Sequence, residues 1–215
     1  MNATLFERAL AWFAHERGEL AMFEARRAFE TATGSIVEGA ADYEQRITHF
    51  LEQQLCDGDP APIARFAASD PALTGSDRRE LAGWLRSHRS LFVFEGYGPD
   101  GGLLRDCVLG GRFRIWPGDH DRKLTPGDRL DARLVPLGEL ICLSPGRVYH
   151  PPEAHVALDS LLDQLDLDAL PRAALLNALL LMRSRFLQFE SVRAEHVYQD
   201  KALAPIRLKL KSARE

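Results

Sequence analysis

The spacing of hydrophobic and polar residues changes its period twice along this chain. Up to residue 89, apolar side chains recur at helical intervals among Glu and Arg, and Ser76 stands where a helix N-cap is expected. The predicted helices are Thr4–Thr33 with a kink or break at Gly18, Ala40–Cys56, Pro62–Ala68 and Asp77–His88.

Between residues 90 and 150 the pattern is that of short strands separated by Gly and Pro turns. Pro126-Gly127 and Pro145-Gly146 each have the residues of a type II turn. Five such runs predict a small antiparallel sheet or a partly open barrel. The predicted strands are Leu91–Phe94, Leu103–Leu109, Arg112–Trp116, Arg129–Leu137 and Leu140–Ser144.

Helical spacing returns after Pro151-Pro152, over Glu153–Asp166 and Arg172–Phe189. The sequence therefore predicts an α+β fold with a helical N-terminal portion, a central small antiparallel β-sheet and two C-terminal helices. We divide the chain into a helical N-terminal region (1–89), an antiparallel β unit (90–150), C-terminal helices that pack on the rest (151–200) and a basic tail (201–215).

The composition is that of a soluble globular protein, with 46% hydrophobic and 27% charged residues. The chain has no apolar run of the roughly 20 residues that cross a bilayer and begins without a signal-peptide pattern, so we expect a cytoplasmic location. Cys56, Cys107 and Cys142 are odd in number and widely spaced, which predicts buried free thiols. Only four of the 27 basic residues are lysine, which indicates a GC-rich and hence bacterial gene.

The basic tail differs in charge from the rest of the chain. Residues 201–215 hold five cations and one acid, whereas the remainder holds 22 cations and 30 acids. Ile206–Lys211 alternates apolar and basic residues and could add itself to a sheet edge or bind an acidic partner. The alternative is a solvated end, or a strand that pairs with this protein's own sheet. The candidate partner-binding residues are Arg207, Lys209, Lys211 and Arg214.

The motifs that could carry chemistry are weak. Gly96–Gly101 matches G-x-G-x-x-G, but a strand follows it where a dinucleotide site needs a helix, so a hairpin loop is favoured. His150, Glu153 and His155 lack the helical spacing of metal ligands, and His120 lies between two Asp in a loop. The sequence therefore predicts no metal, no cofactor and no catalytic residues.

Charged residues recur on the predicted strands, and they admit two interpretations. They could line an anion-binding face, or they could be the exposed halves of alternating strands joined by cross-strand ion pairs. A ligand site between the sheet and the C-terminal helices would use the most plausible polar groups of this region. These candidate ligand-binding residues are Arg112, Arg114, Asp131, Arg133 and His150.

The order of several short motifs resembles an uncharacterised bacterial family. These motifs are Ser87–Phe92, Leu104–Asp106 with Gly110–Ile115, Leu124–Pro136 and Leu143–Ala154, and the match covers roughly Asp42–Ala154. The family pattern includes L-x-P-G-D and R-L-V-P, and Asp106–Leu109 departs from it. The resemblance implies a helical N-terminal part followed by a small β domain, and it implies no activity.

For function, the sequence favours a non-enzymatic protein-interaction or regulatory protein, such as an adaptor in a bacterial signalling or polarity complex. The expected partner is another protein. A small-molecule-binding module or small enzyme is the alternative, with its site between the sheet and the C-terminal helices. Nucleic-acid binding through the basic tail is a third hypothesis, which the acidity of the body disfavours.

Overall fold

The computed structural model of the chain describes residues 3–116, 124–189 and 191–204. Its N-terminal part is helical, and the first predicted helix is divided at Gly18, whose φ of 75° interrupts the helical backbone. The helices of this part are α1 (Ala3–Arg17), α2 (Glu19–Thr33), α3 (Tyr43–Cys56), α4 (Pro62–Ser69) and α5 (Gly75–Leu85).

The middle of the chain forms one antiparallel sheet with the order β3-β2-β1-β4-β5, and β6 pairs with β4. The sheet curls until its two edges approach each other, and the Trp116 amide donates to the Ile141 carbonyl at 2.8 Å. The strands are β1 (His88–Gly98), β2 (Gly101–Asp106), β3 (Arg112–Ile115), β4 (Arg129–Leu137), β5 (Leu140–Leu143) and β6 (Val148–Tyr149).

Helices α6 (His155–Asp163), α7 (Arg172–Gln188) and the short α8 (Ala194–Val197) complete the described chain. The predicted α+β class, with helices on both sides of a central antiparallel sheet, is confirmed. Within the described ranges, no helix has the length and apolar character that would let it span a bilayer.

The two faces of the sheet have different partners. Side chains on the concave face, including Phe92, Phe94 and Leu130, pack with one another into a core made mainly of strand residues. On the convex face, Leu91 packs with α6 and α7, whereas Val135 packs with α1, α4 and α5. Because successive residues alternate between faces, the charged residues of β1 and β4 lie on the convex face between these two apolar clusters.

Several local predictions were wrong, each for a local reason. Thr74, and not Ser76, caps α5: its hydroxyl accepts from the Asp77 amide, and Asp77 accepts from the Thr74 amide. Helix α5 ends at Leu85, and β1 already begins at His88. Strand β2 ends at Asp106, because the Asp106 carboxylate accepts from the amides two and three residues further on.

Of the two predicted type II turns, only the one at Pro126-Gly127 has the glycine conformation that this turn requires. Gly127 has the positive φ of 93° that the third position of such a turn requires, whereas Gly146 does not have a positive φ. Gly146 is required for another reason, since a Cβ at this position would lie 2.6 Å from Cδ of the buried Glu52. The chain uses this glycine for close packing against α3.

Candidate functional site

Two of the five predicted ligand residues, Arg112 and Arg114, lie on the outer surface of β3. Arg112 forms two hydrogen bonds to Glu95, at 2.9 and 3.3 Å, and Arg114 bonds to Asp100 at 2.9 Å. Both arginine side chains are about two-thirds exposed. These two residues therefore form surface ion pairs, Arg112 with Glu95 of β1 across the intervening β2, and Arg114 with Asp100 in the β1–β2 turn.

Asp131 is buried at the centre of the convex face, where it binds Arg89. The Arg89 Nε and Nη2 atoms donate to the two Asp131 oxygens at 2.9 and 2.8 Å. Arg89 Nη1 also donates to Gln53 of α3 at 3.3 Å and to Asn177 of α7 at 3.0 Å. One guanidinium group thus joins β1 and β4 to a helix from each end of the chain.

Arg133, two residues further along β4, lies on the same face and is also buried. Its guanidinium donates to Asp57 at 2.6 Å and to the Ser87 hydroxyl at 3.1 Å. Burial acts to lower the pKa of Arg133, but the anionic groups beside it, including Asp57, outweigh that effect and raise it. This arginine fastens the end of α3 to the sheet.

Two buried histidines, His49 on α3 and His150 after β6, lie near Asp131. His49 Nδ1 lies 2.6 Å from the Gly146 carbonyl, and His150 Nδ1 lies 3.0 Å from the Tyr198 hydroxyl. Burial is the main cause that lowers the pKa of each to about 3, and the nearby cations Arg89 and Arg183 lower it further. Both imidazoles are therefore neutral at pH 7.

The separation of His49 Nε2 from Asp131 Oδ1, 3.8 Å, is compatible with an ion pair only if the imidazole is protonated. The distance is too long for a hydrogen bond, and Arg89 already bonds to both Asp131 oxygens. A protonated His49 would also be repelled by the positive charge of Arg89. The ion pair is therefore the one between Arg89 and Asp131, and His49 is a neutral neighbour of it.

Glu52 extends this buried polar region towards the loop before β6. One carboxylate oxygen accepts from the Ser144 hydroxyl at 2.8 Å, and the other accepts from the Gly146 amide at 2.7 Å. Burial raises the pKa of Glu52 to about 7, although these two hydrogen bonds act in the opposite direction. Glu52 joins α3 to a segment 92 residues further along the chain.

These contacts form a polar seam between α3, the sheet and α7, made of Arg89, Asp131, Arg133, His49, Gln53, Asn177 and Glu52. The seam contains Asp131 and Arg133 and lies next to His150, so the fold brings three of the five predicted ligand residues into one region and leaves Arg112 and Arg114 elsewhere. Each charged group in the seam bonds to a neighbour within the protein. This arrangement holds elements together, because Arg89 and Arg133 are paired with carboxylates and Glu52 accepts from the Ser144 hydroxyl and the Gly146 amide.

A second polar cluster lies at the start of β1. His88 Nε2 is 2.7 Å from Asp106, and the Ser90 hydroxyl donates to the other Asp106 oxygen at 2.7 Å. A serine nucleophile needs its hydroxyl on the imidazole, with the carboxylate on the far ring nitrogen. Here both groups bond to the carboxylate, so the cluster lacks the order of a catalytic triad.

One cavity, of about 250 Å³, lies at the β1–β2 hairpin. It is lined by the turn that contains the G-x-G-x-x-G match and by Arg114. The Arg114 guanidinium forms an ion pair with Asp100. The hairpin predicted for this motif is confirmed, since β2 follows the glycines directly.

A second cavity, of about 310 Å³, is an open groove between α6 and the α8 segment. Its floor is apolar: Ala157, Leu161 and Tyr198 are almost fully buried. Its rim is formed by Ser160, Gln164, Glu195, Gln199 and Val156, and the Val156 side chain is 79% exposed. We call this cavity the α6 groove. The α6 groove therefore combines an apolar floor with a mostly polar rim.

Two hydrogen bonds hold the rim and floor of the α6 groove in place. The Tyr198 hydroxyl bonds to the buried His150, and burial raises the pKa of Tyr198 so that its phenol stays neutral. The Gln199 side-chain amide donates to the Glu195 carbonyl at 2.8 Å. These contacts fix the positions of the Tyr198 and Gln199 side chains at the groove.

Acidic residues are frequent along α6 and in the segments that flank it. Residues 153–168 contain five acids and no lysine or arginine. Arg129 pairs with one of them, Asp159, whereas Asp163 at the end of α6 is exposed. None of these five acids lines the groove, and the acidic residue of its lining is Glu195. Sequence reasoning missed the groove because it predicted neither α8 nor its contact with α6. The one residue that could have indicated it is Val156, an apolar side chain on the otherwise polar exposed face of α6.

The remaining predicted sites fall outside these clusters. Arg207, Lys209, Lys211 and Arg214 lie outside the described residues, as does His120. Cys56, Cys107 and Cys142 are free thiols, as predicted, but each is half-buried where the sequence suggested full burial. Among the described residues, no group of three or more His, Cys, Asp or Glu has an arrangement that could hold a metal ion.

Comparison with protein-family models, with curated proteins and with solved structures finds no match for this chain. The family resemblance drawn from the sequence motifs therefore stays a prediction. The function has to be argued from the geometry of the chain itself.

Proposed function

We propose that this chain is a non-enzymatic protein-interaction module that binds an extended peptide segment of a partner in the α6 groove. The observation that carries the proposal is the groove itself, with an apolar floor and a polar rim that includes the Glu195 carboxylate. An adaptor in a bacterial signalling or polarity complex, as the sequence suggests, belongs to this class of function.

The polar residues that could support catalysis are engaged elsewhere. His49, His150 and Asp131 lie in or beside the polar seam, and Asp106 holds both His88 and Ser90. Neither of the two cavities described above is lined by a histidine or a cysteine. Binding is the role that the lining of the α6 groove supports, since it combines a concave shape with the exposed Val156 side chain and the Glu195 carboxylate.

The bound segment should alternate apolar and basic residues. In an extended chain, successive side chains point to opposite sides, so one side would contact Leu161 and Tyr198 while a cation on the other side could reach Glu195 on the rim. This chemistry is that of an extended cationic peptide and not of a small metabolite.

A synthetic peptide provides the test. The probe is a fluorescein-labelled hexapeptide, Leu-Lys-Leu-Lys-Leu-Lys, and its control has Glu in place of each Lys. The protein is the full chain carrying Ile206→Ser, Leu208→Ser and Leu210→Ser, because residues 206–211 have the same alternation and would compete. Fluorescence anisotropy should show saturable binding of the Lys peptide, weakened by salt, and no binding of the Glu peptide.

Two matched substitutions locate the binding. Val156→Lys removes the exposed apolar side chain of the rim and adds a cation, so the affinity should fall by about tenfold or more, which corresponds to about 1.4 kcal/mol. Leu20→Lys makes the same change at an equally exposed position on α2 and should leave the affinity within about twofold. Equal effects of the two substitutions, or equal binding of the Glu peptide, would contradict the proposal.

A further inference from the structure

Among the described residues that line the α6 groove, a single side chain is charged at pH 7. Tyr198 is neutral because burial raises the pKa of its phenol. The other neutral residues of the lining are Val156, Ala157, Ser160, Leu161, Gln164 and Gln199. The remaining residue is Glu195, so a segment bound along the described lining meets one carboxylate.

The Glu195 carboxylate is exposed and available to a ligand. Within the described ranges, no residue forms an ion pair with it. The bond from the Gln199 side chain engages the Glu195 backbone carbonyl and not the carboxylate. Asp159 on α6 differs in both respects, because it pairs with Arg129 and lies outside the lining. A cation on a ligand would therefore find its partner at Glu195.

Glu195 has a defined place relative to the apolar floor. It lies three residues before Tyr198, so the two residues are neighbours on one side of the α8 turn. The Tyr198 side chain belongs to the buried floor. The opposite wall, formed by α6 residues at intervals of four, is neutral. A segment anchored on the floor therefore meets the charge at one point, on the α8 wall.

We infer that Glu195 is the specificity-determining residue of the α6 groove and that it selects a single Lys or Arg at one position of the bound segment. This inference rests on the proposed function, since it concerns the preference of the same site. Lys and Arg are suited to this position, because their long apolar stems can lie along the groove while the charged end reaches the rim. The other basic positions of the segment face solvent, where salt screens them.

A double-mutant cycle provides the test, with the same full chain, labelled hexapeptide and anisotropy readout. Three further peptides each have Ser in place of one Lys of Leu-Lys-Leu-Lys-Leu-Lys, and all are measured on the chain with Glu195 and on Glu195→Gln. One of the three replacements should weaken binding about three- to fivefold when Glu195 is present and by less than about 1.5-fold in Glu195→Gln. The other two should have equally small effects on both chains.

A charge reversal and a matched control complete the design. Glu195→Lys should bind a peptide with Glu at the identified position about tenfold more tightly than the all-Lys peptide. Asp163→Asn removes an exposed acid of α6 that does not line the groove, so it should respond to the three peptides as the chain with Glu195 and Asp163 does.

The outcomes separate this inference from the proposed function. Equal losses for all three Lys positions, unchanged in Glu195→Gln, would overturn the role of Glu195 and leave groove binding standing if Val156→Lys still weakens it. A loss in Asp163→Asn as large as that in Glu195→Gln would assign the preference to the general acidity of α6 and also overturn that role. Absence of binding of the all-Lys peptide would overturn the proposed function itself.

Discussion

Arg89 and Asp131 lie on neighbouring strands, two residues apart in register, and form a two-pronged ion pair in the interior. Their side chains are only 7% and 1% exposed. Arg89 also donates to Gln53 of α3 and Asn177 of α7, so the helices that precede and follow the sheet are joined through one guanidinium group. This pair is the centre of the polar seam that organises the fold.

The first prediction concerns this pair. Asp131→Asn leaves Arg89 buried without a charged partner, so the free energy of unfolding should fall by about 3–5 kcal/mol. Asp100→Asn removes the same charge from the exposed pair with Arg114 and should cost about 1 kcal/mol or less. Urea denaturation of the two variants checks the contrast. Similar losses in both would mean that the buried pair does not hold the seam.

The second prediction concerns pH. His49 and His150 have pKa values near 3 in the folded chain and about 6.5 when unfolded, so the unfolded chain binds more protons between these values. Their contribution to stability is present above pH 6.5 and is lost as the pH falls towards 3. Each histidine contributes a slope of about 1.4 kcal/mol per pH unit in this range.

Glu52 acts in the opposite direction, because its folded pKa of about 7 exceeds its unfolded value. Its contribution is present below pH 4.5 and is lost as the pH rises to 7, with a slope of about 1.4 kcal/mol per unit. Between pH 6.5 and 4.5 the net loss on acidification should therefore be about 1.4 kcal/mol per unit. Urea denaturation across this range measures it. A constant or rising stability on acidification would contradict the neutral, buried histidines.

Substitution of Glu52 separates these contributions. Glu52→Gln keeps an acceptor for the Gly146 amide and a donor for the Ser144 hydroxyl, which can reverse its role, so the fold should be retained. Without the opposing titration, the loss between pH 6.5 and 4.5 should steepen to about 2.7 kcal/mol per unit. Glu52→Ala, which leaves the Gly146 amide without its acceptor, should instead destabilise the chain at every pH. An unchanged slope in Glu52→Gln would show that Glu52 does not titrate in this range.

The contact between Gly146 and Glu52 gives a steric prediction. Gly146→Ala would place Cβ 2.6 Å from Glu52 Cδ, and the loss of stability should be about 1–3 kcal/mol. Gly75→Ala is the matched control, since the nearest atom to its Cβ is the end of the flexible Arg79 side chain at 3.8 Å. Thermal unfolding monitored by circular dichroism compares the two. A Gly146→Ala variant as stable as Gly75→Ala would disprove the tight packing of α3 on this loop.

The sequence predicted most of the helices and strands, but it did not predict which of their polar residues are buried against one another. The alternation of Arg112–Ile115 predicted a one-sided strand, and that strand has Arg112 and Arg114 outside and Ile115 inside. The same alternation on β4 gave no sign that Asp131 and Arg133 are buried, because burial depends on α3 and α7, which cover that face.

The α6 groove is a clearer example of what sequence patterns leave open. It forms where α6 meets a four-residue helix, and a helix that short has too weak a periodicity to be predicted. The burial of the polar residues on α3 could not be predicted from the sequence either. His49, Glu52 and Gln53 follow helical spacing beside an apolar stripe, which is usual for a solvated face, and only the facing charges of β1 and β4 make them interior residues.

Photo-cross-linking from the groove rim tests the central claim most directly. The photoreactive residue p-benzoylphenylalanine replaces Val156, which is 79% exposed, or Leu20, which is 71% exposed, in the otherwise unmodified full chain. From position 156, mass spectrometry should find cross-links to added Leu-Lys hexapeptide and none to the Glu peptide. Position 20 should give neither. Absence of cross-links from position 156 to the Leu-Lys hexapeptide would contradict a peptide-binding groove.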